Sequence, residues 1–398
     1  MDLIGWVIFL VALLFSVMLH ETGHFVLAKK FGMKVTRYFV GFGPTLWSIR
    51  RGETEYGIKA LPFGGFVKII GMHSLDDVDD PADEPRSFRR QPAWQRIAVL
   101  CAGSFMHFVL AFLLIFSLAL GIGIENDNTT QLGTVSKCVA ASTTQLNKGT
   151  CTASDQASPA KLAGLRVGDQ VTAFNGTPVS NWTQLGNAIR KAPAGSAAAI
   201  TVKRGGQTLT LHATLATVSG RSGAYLGIAP AIVFQTANPV RAVQYAGSAF
   251  GQVLVGSAKA VTALPAALPK LFSKDRGSTA AGQVSSVVGA AEATGAAVAA
   301  NVGWQYKVSF VLLLIASLNI FVGAFNMLPL LPLDGGHVAA IGWERIRAWF
   351  ARLRKRPDPG LVDMAKLLPV SFSIFLVLMF FGVALVLADI VNPVNIAG

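Results

Sequence analysis

Met18-Leu19-His20-Glu21-Thr22-Gly23-His24 decides the reading of this chain. It is a His-Glu-x-x-His stretch inside an apolar run from Leu3 to Ala28. On a helix, positions i and i+4 share a face, so His20 and His24 present two imidazoles to one metal ion. Glu21 stands beside them, placed to take a proton from a metal-bound water. In a soluble chain the pattern is a moderate signal. Inside a membrane-length apolar segment it is a sharper one, because ionisable groups are expensive to hold in lipid and are kept for function. The blander alternative is a buried polar cluster that pins helix packing.

The composition agrees with a membrane setting. The chain has 398 residues, of which 52% are hydrophobic and 14% charged, and its mean hydropathy is +0.50. That is the profile of an integral membrane protein with a soluble insert. The net charge of +13 is explained by basic residues at the cytoplasmic ends of spans, and no nucleic-acid partner is expected. The first apolar run starts on Asp2 and lacks a small-residue cleavage site, so it reads as a retained span rather than a signal peptide. Of the three cysteines, Cys101 lies in an apolar run as a packing residue. Cys138 and Cys151 flank a polar stretch, where a disulfide and two free thiols are both open.

Four runs are long enough to span: Leu3–Ala28, Ile97–Ile124, Val308–Met327 and Val370–Ile390. A fifth, Ala242–Ala258, is diluted by Ala, Gly and Ser and reads as a surface helix. The loop from Lys29 to Arg90 carries eleven Lys/Arg and that from His337 to Lys366 carries seven. Both loops are therefore expected in the cytoplasm, with both termini and the long middle segment outside. His20 then lies about 26 Å along the first span, near the cytoplasmic edge.

Within the first loop, Thr45–Arg50 and Glu55–Ala60 alternate around a turn at Gly52, which predicts a β-hairpin. Gly41-Phe42-Gly43-Pro44 precedes it, and a segment containing Gly64-Gly65 follows. Such strands either dip into the membrane and hold an extended peptide along an edge or form an ordinary surface hairpin. The acidic run Asp76–Pro85 reads as a solvated loop. Further on, Ser158–Gly176 gives a short helix, a Gly turn, a Gly-Asp turn, a strand and an Asn-Gly hairpin turn. This stretch resembles a bacterial PDZ domain, spanning about 130–218. By that resemblance Gln131-Leu132-Gly133-Thr134-Val135 would be the peptide-binding loop, with Leu132, Gly133 and Thr134 at its centre. The Ala- and Gly-rich segment 237–305 is expected to form membrane-surface helices.

Two histidines do not complete a catalytic zinc site, which takes three protein ligands and an open position. The best third candidate is Asp334, in Asn326-Met327-Leu328-Pro329-Leu330-Leu331-Pro332-Leu333-Asp334-Gly335-Gly336-His337. Asp334 closes the third span, which runs in the same direction as the first, so His20, His24 and Asp334 are expected at one depth. Cys101, His107 and His337 are rival ligands. Asn319 and Asn326 either bond neighbouring helices or hydrogen-bond a substrate.

Taken together, these motifs resemble the site-2 protease family, peptidase family M50. The closer likeness is to the PDZ-bearing bacterial branch that includes the regulator-of-sigma-E protease. The resemblance implies a polytopic α-helical membrane protein with four transmembrane helices, a membrane-associated β-hairpin loop and one inserted extracytoplasmic PDZ domain. Its parts would be 1–125 (first two spans and β-loop), 130–218 (PDZ), 237–305 (surface helices) and 306–398 (last two spans). It further implies His20, His24 and Asp334 as ligands of one Zn2+ and Glu21 as general base. Asn326, Asn319, Gly64 and Gly65 would bind substrate. Ser285-Val287-Val288-Gly289 resembles a short family motif that follows the PDZ domain. Two departures stand out. The family's Gly-Pro-x-x-Asn is here Gly103-Ser104-Phe105-Met106-His107, which leaves His107 as a substitute at that substrate-binding position. There is also one PDZ domain rather than a tandem pair.

The function implied is a zinc endopeptidase that cuts transmembrane segments of single-pass proteins in the bilayer. Its substrates would be of the anti-sigma-factor type, or remnant signal peptides. The rivals are an inactive membrane-tethered PDZ scaffold and a metal transporter. A transporter would spread polar groups through the membrane depth, whereas here they gather toward one face.

Overall fold

The computed structural model describes residues 3–72, 80–126, 128–139, 151, 155–218, 223–272, 286–300 and 302–392. Asp76–Asp79 of the acidic run and Ser285 of the short motif lie outside them. The chain forms two compact units, one made of Met1–Leu118 with Asn238–Ala397 and the other of Ala119–Ala237.

The first unit is helical. Helix α1 (Leu3–Lys30) is apolar apart from Ser16 and the polar residues of His20–His24, and its last turn carries Lys29 and Lys30, which suit the negative end of the helix dipole. Helix α2 (Ala93–Gly121) starts four residues earlier than the apolar run suggests, because Pro92 stands just before its first turn, where a missing N–H costs nothing. Among the described residues, four helical stretches are long and apolar enough to cross a membrane: Leu3–Lys30, Ala93–Gly121, Trp304–Asn326 and Ala365–Val391. The segment around Ala242–Ala258 is not one of them; it belongs to a longer helix, α5 (Pro239–Leu271), which follows the second unit. Helix α6 (Val287–Ala299) is short and apolar. Its first N–H region is held by Asp389, which accepts from Ser286 N at 2.6 Å.

The third span, α7 (Trp304–Asn326), ends sooner than expected. Pro329 and Pro332 lack an N–H and push Leu328 and Leu331 out of helical geometry. Asp334 therefore does not close that span; it opens a new helix, α8 (Asp334–Leu353). The last span is α9 (Leu368–Val391).

Between α1 and α2 lies the expected hairpin, but with much longer strands, β1 (Val35–Arg51) and β2 (Thr54–Ile69). Its pairing is doubled. Tyr38 pairs with both Val67 and Tyr56, and Phe39 with both Phe66 and Gly57. Each strand therefore folds back on itself, and the lanes lie in the order 45–51, 54–59, 37–40, 65–69. The bend in β2 uses Gly64 at φ +95°, a backbone region closed to most side chains. One end of this sheet is tied down: Glu53, in the turn, bonds Lys29 at 2.5 Å and Arg86 at 2.8 and 2.9 Å. The side chains of Phe42, Leu46, Trp47, Ile58 and Leu61 are exposed. Val35 and Ile69 join Ala28, Met33, Val99 and Ile341 in a buried core beneath the sheet.

The second unit is β-rich. Strands β5 (Gln170–Phe174), β6 (Thr177–Pro178), β7 (Ala197–Arg204) and β8 (Gln207–Thr214) form an antiparallel sheet in the order β6-β5-β7-β8. The short helix α3 (Pro159–Leu162) is N-capped by Ser158, and Asn175 takes φ 50° in the expected Asn-Gly turn. Helix α4 (Trp182–Lys191) buries Leu185 and Ile189 against Leu132, Val171, Phe174 and Ile200. The Gly-Asp turn is fastened by Asp169, which accepts from Arg204 at 2.6 and 2.7 Å and from Arg166 N at 2.8 Å. Burial pushes that carboxyl up, but these donors hold it below its ordinary value.

The fold runs past Val218, the end expected from sequence. Strand β9 (Ile228–Pro230) pairs with β4 (Leu132–Val135), and β10 (Val233–Gln235) pairs with β3 (Ile124–Asn126). Cys138 and Cys151 form a disulfide.

Candidate functional site

Two helices far apart in sequence meet at one point. His20 and His24 are one turn apart on the buried face of α1, and Asp334 is the first residue of α8. His20 Nε2 lies 3.0 Å from His24 Nε2. Asp334 Oδ2 lies 3.3 Å from the first and 3.5 Å from the second. A tetrahedral ion with bonds of about 2.0–2.1 Å needs donor atoms about 3.3 Å apart, and the three separations bracket that value. Asp334 Oδ2 has no well-aligned hydrogen bond although it is buried. Three buried lone-pair atoms facing one another without protons between them are costly unless a cation joins them. Among the described residues this is the one such His/Cys/Asp/Glu group.

Helix α2 forms the back wall. His24 Nδ1 is 2.8 Å from Val99 O. A carbonyl only accepts, so Nδ1 carries the hydrogen and Nε2 keeps its lone pair for the metal. Gly103 stands directly behind both rings. A Cβ there would lie 2.5 Å from His20 Cε1 and 2.5 Å from His24 Nε2, so only glycine lets α2 come this close. In front of the site runs the last lane of the sheet. Gly65 faces Glu21, whose Cγ would lie 3.5 Å from a Cβ built at that glycine, and Val67 offers its backbone to the same carboxylate.

The rival ligands sit elsewhere. His107 is one turn beyond Gly103, its ring 5.1 Å from that of His20, and its Nδ1 is 2.7 Å from Asn319 Oδ1. Asn319 is 1% exposed. Its amide donates to Ser16 Oγ at 3.0 Å and to Ile315 O at 2.8 Å. Asn319 thus ties α1, α2 and α7 together behind His107, the helix-bonding role that was one of the two expected for it. Cys101 is half-buried and outside the cluster. His337 is one turn past Asp334 and lines a cavity of about 220 Å3 with Arg96, Glu344 and Phe88. Asn326 is the last residue of α7, half-buried.

The loop Leu132-Gly133-Thr134 is not a groove. Leu132 is fully buried, and β4 is paired on both sides, with β9 and through Leu132 N to Asp169 O at 2.8 Å. Between α4 and the segment Ala224–Ile228, Trp182, Gly186 and Ile189 line a cavity of about 80 Å3. Gly103 was visible in sequence, in the stretch that departs from the family pattern, but its closeness to two histidines is a long-range fact.

Comparison with known proteins agrees with this geometry. The family model for peptidase family M50 matches residues 8–357. Zinc metalloprotease Rip1 of Mycolicibacterium smegmatis is 38% identical, with 99% of this chain and 98% of the relative covered. Zinc metalloprotease Rip1 of Mycobacterium tuberculosis is 37% identical, with 98% of each chain covered. The PDZ domain of the SdrC-like protein from Listeria monocytogenes covers 25% of this chain and 90% of its own, at 18% identity and a TM-score of 0.17, a score on which no argument is placed.

Proposed function

The chain belongs to peptidase family M50 and is a membrane zinc metalloendopeptidase, and from that premise we propose that it cuts the transmembrane segments of single-pass proteins. The observation that carries this is the meeting of His20 Nε2, His24 Nε2 and Asp334 Oδ2 within 3.0–3.5 Å, inside a span-length apolar helix.

In this reading His20, His24 and Asp334 hold zinc. When bound, the metal polarises the scissile carbonyl and lowers the pKa of a water toward neutrality. Val99 O keeps His24 in the tautomer that offers Nε2. Glu21 takes the proton of the attacking water and returns it to the leaving amine. Ser16 and Asn319 steady His107 beside His20.

A substrate helix hides its peptide bonds in its own i→i−4 ladder, so it must unwind before it is cut. Among the described residues, the lane 65–69 pairs with 37–40 along one edge. An extended substrate passing Glu21 would add along the other edge, where Gly65 faces that carboxylate. Gly64 and Gly65 let that strand approach the site. The sheet is tied to the end of α1 through Glu53 and Lys29, while Gly65 reaches back to Glu21, about two turns up the helix. That rise, with Phe42, Trp47 and Leu61 outward, fits a sheet that re-enters the membrane rather than an ordinary surface hairpin.

Substrates of the anti-sigma-factor type, or remnant signal peptides, follow from the family likeness. Two basic loops in the cytoplasm, both termini outside and the β-rich PDZ-like unit outside form the proposed topology, in a bacterial inner membrane. The Cys138–Cys151 disulfide supports an oxidising side for that unit. The intact cluster weighs against an inactive scaffold, and its confinement to one end of α1 weighs against a transporter.

The test is cleavage in detergent of a tagged single-pass substrate by wild type and Glu21→Gln, with zinc measured on both. Zinc in both and cleavage by wild type alone are expected. An active Glu21→Gln enzyme would remove Glu21 from the role of base.

A further inference from the structure

Helix α8 has three distinct faces. Ile341, Glu344 and Ala348 are buried against the protein. About opposite them on a helical wheel of 3.6 residues per turn stand Trp343, Ile346, Phe350 and Leu353, which are 56, 46, 47 and 62% exposed. Arg345 and Arg352 flank this apolar ridge on one side and Arg354 on the other, while Arg347 is half-buried and donates to Gly360 O at 3.1 Å.

The depth of α8 is set by its contacts. Arg96 lies in the first turn of the apolar helix α2. Its Nη2 is 2.6 Å from Glu344 Oε2, and both side chains are 6% exposed. The middle of α8 is therefore level with the start of a span. Trp94, in the same turn of α2, is 61% exposed and meets Phe31 edge-on at 5.1 Å. Phe31 follows Lys29 and Lys30 at the end of α1. Aromatic rings and cationic ends at one level mark a membrane–water boundary.

We propose that α8 lies in the plane of that boundary and binds the anionic phospholipid headgroups of the adjoining leaflet. Its ridge sits among the first acyl carbons, and Arg345, Arg352 and Arg354 on its flanks reach the phosphates. The charge fits this occupant. Residues 334–356 carry six Lys/Arg against Asp334 and Glu344, and Glu344 is already spent on Arg96. A stripe that is apolar in the middle and cationic on both flanks matches the layering of a leaflet, apolar beneath and anionic above. Because α8 begins at Asp334, this seat also steadies the third member of the metal cluster. The lipid binding itself does not depend on the proposed proteolysis.

The experiment uses the full chain in nanodiscs of phosphatidylcholine with added phosphatidylglycerol. Spin-labelled phosphatidylglycerol and phosphatidylcholine report which lipid the protein retains. A several-fold preference for phosphatidylglycerol is expected, falling with salt, since each arginine near an anionic surface is worth about fivefold. Arg345→Gln/Arg352→Gln/Arg354→Gln should abolish the preference, and the corresponding Lys variant should keep it, which separates charge from misfolding. Brominated acyl chains should quench the part of the fluorescence that Trp343→Phe removes. Equal retention of both lipids by wild type, an undiminished preference in the Gln variant, or a Trp343 untouched by brominated chains would each overturn the proposal. So would salt-sensitive capture of an acidic protein on α8 with Trp343 unquenched.

Discussion

Gly103→Ala is the sharpest test of the site, because it adds one methyl group and replaces no proposed ligand. The new carbon would lie 2.5 Å from His20 Cε1, 2.5 Å from His24 Nε2 and 2.8 Å from His20 Nδ1. Ordinary contact begins at 3.4 Å, so the rings or α2 must give by about 0.9 Å at the closest pairs, a shortfall far beyond the roughly 0.2 Å that a zinc site tolerates. His24 cannot simply swing away. Its Nδ1 is tied at 2.8 Å to Val99 O, on the same helix that carries the new methyl. Displacing a ligand on this scale weakens metal binding about 10–100-fold, and a misplacement of about 1 Å lowers rate on the order of 100-fold. The fall in kcat/KM should therefore be at least about 100-fold, or about 2.7 kcal/mol of lost transition-state stabilisation. Stability should fall as well, because overpacking a buried contact costs about 1–3 kcal/mol, which outweighs the gain of about 1 kcal/mol from the better helix former. Zinc content, cleavage of the single-pass substrate and thermal unfolding would be measured on Gly103→Ala. Ser104→Ala, a buried neighbour, serves as the control expected to keep zinc and activity. A Gly103→Ala enzyme with full zinc and full activity would refute the packing argument.

Glu53 makes the sheet's anchor acid-sensitive. Its hydrogen bonds to Arg86 first, and also to Lys29, lower its pKa from 4.5 to about 2. A carboxylate whose pKa is depressed in the folded state stabilises above its unfolded value and loses that contribution as pH falls through the folded one. The melting temperature should therefore drop more steeply between about pH 4.5 and pH 2 in wild type than in Glu53→Gln; parallel curves would sink the linkage. Removing the Cys138–Cys151 bond, which spans a sequence separation of 13, should cost the second unit about 3 kcal/mol, read by denaturant unfolding of Cys138→Ser/Cys151→Ser. An unchanged midpoint would contradict that. Arg96→Met leaves Glu344 buried without its partner and should cost about 3–5 kcal/mol, whereas Arg96→Met/Glu344→Leu should recover most of it. If the double variant is no more stable than the single, the pair is not what joins α2 to α8.

The parts legible in sequence were those written in short-range patterns. Apolar length located all four spans to within a few residues. The i, i+4 spacing placed His20 and His24 on one face. The turn at Gly52 located the hairpin, and the Asn175-Gly176 turn located β5 and β6. Boundaries moved where backbone chemistry outweighed hydropathy. Pro329 and Pro332 ended the third span before Asp334, and Pro92 let α2 start early. Asp334 still meets the histidines, because after the break the chain turns back and Gly335 packs directly on the backbone of Met327 and Leu328.

What was not legible depends on register and long-range approach. The doubled pairing of Tyr38 and Phe39 follows from how β1 and β2 fold back, and alternation of residue types does not encode it. The peptide-binding loop was placed on Leu132-Gly133-Thr134 by local likeness, yet β9 pairs with that segment and fills the edge it would have offered. That pairing depends on a strand nearly a hundred residues away. The same logic governs His107 and Asn319. Each looked like a polar residue seeking a substrate. Folded, Asn319 faces Ser16 on α1 and His107 on α2, so its donors and its acceptor are consumed within the helix bundle. With Asn319 Nδ2 donating twice, its Oδ1 is the acceptor for His107 Nδ1–H, and the free ring nitrogen of His107 is Nε2. A residue in that state accepts a hydrogen bond rather than giving one. On the proposed reading of His107 as a substrate-binding residue, it would accept from a substrate N–H rather than donate to a developing oxyanion. His107→Asn, which restores a donor at that position, should then change which substrates are cut more than it changes zinc content; equal loss across all substrates together with loss of zinc would place His107 in the metal's support instead.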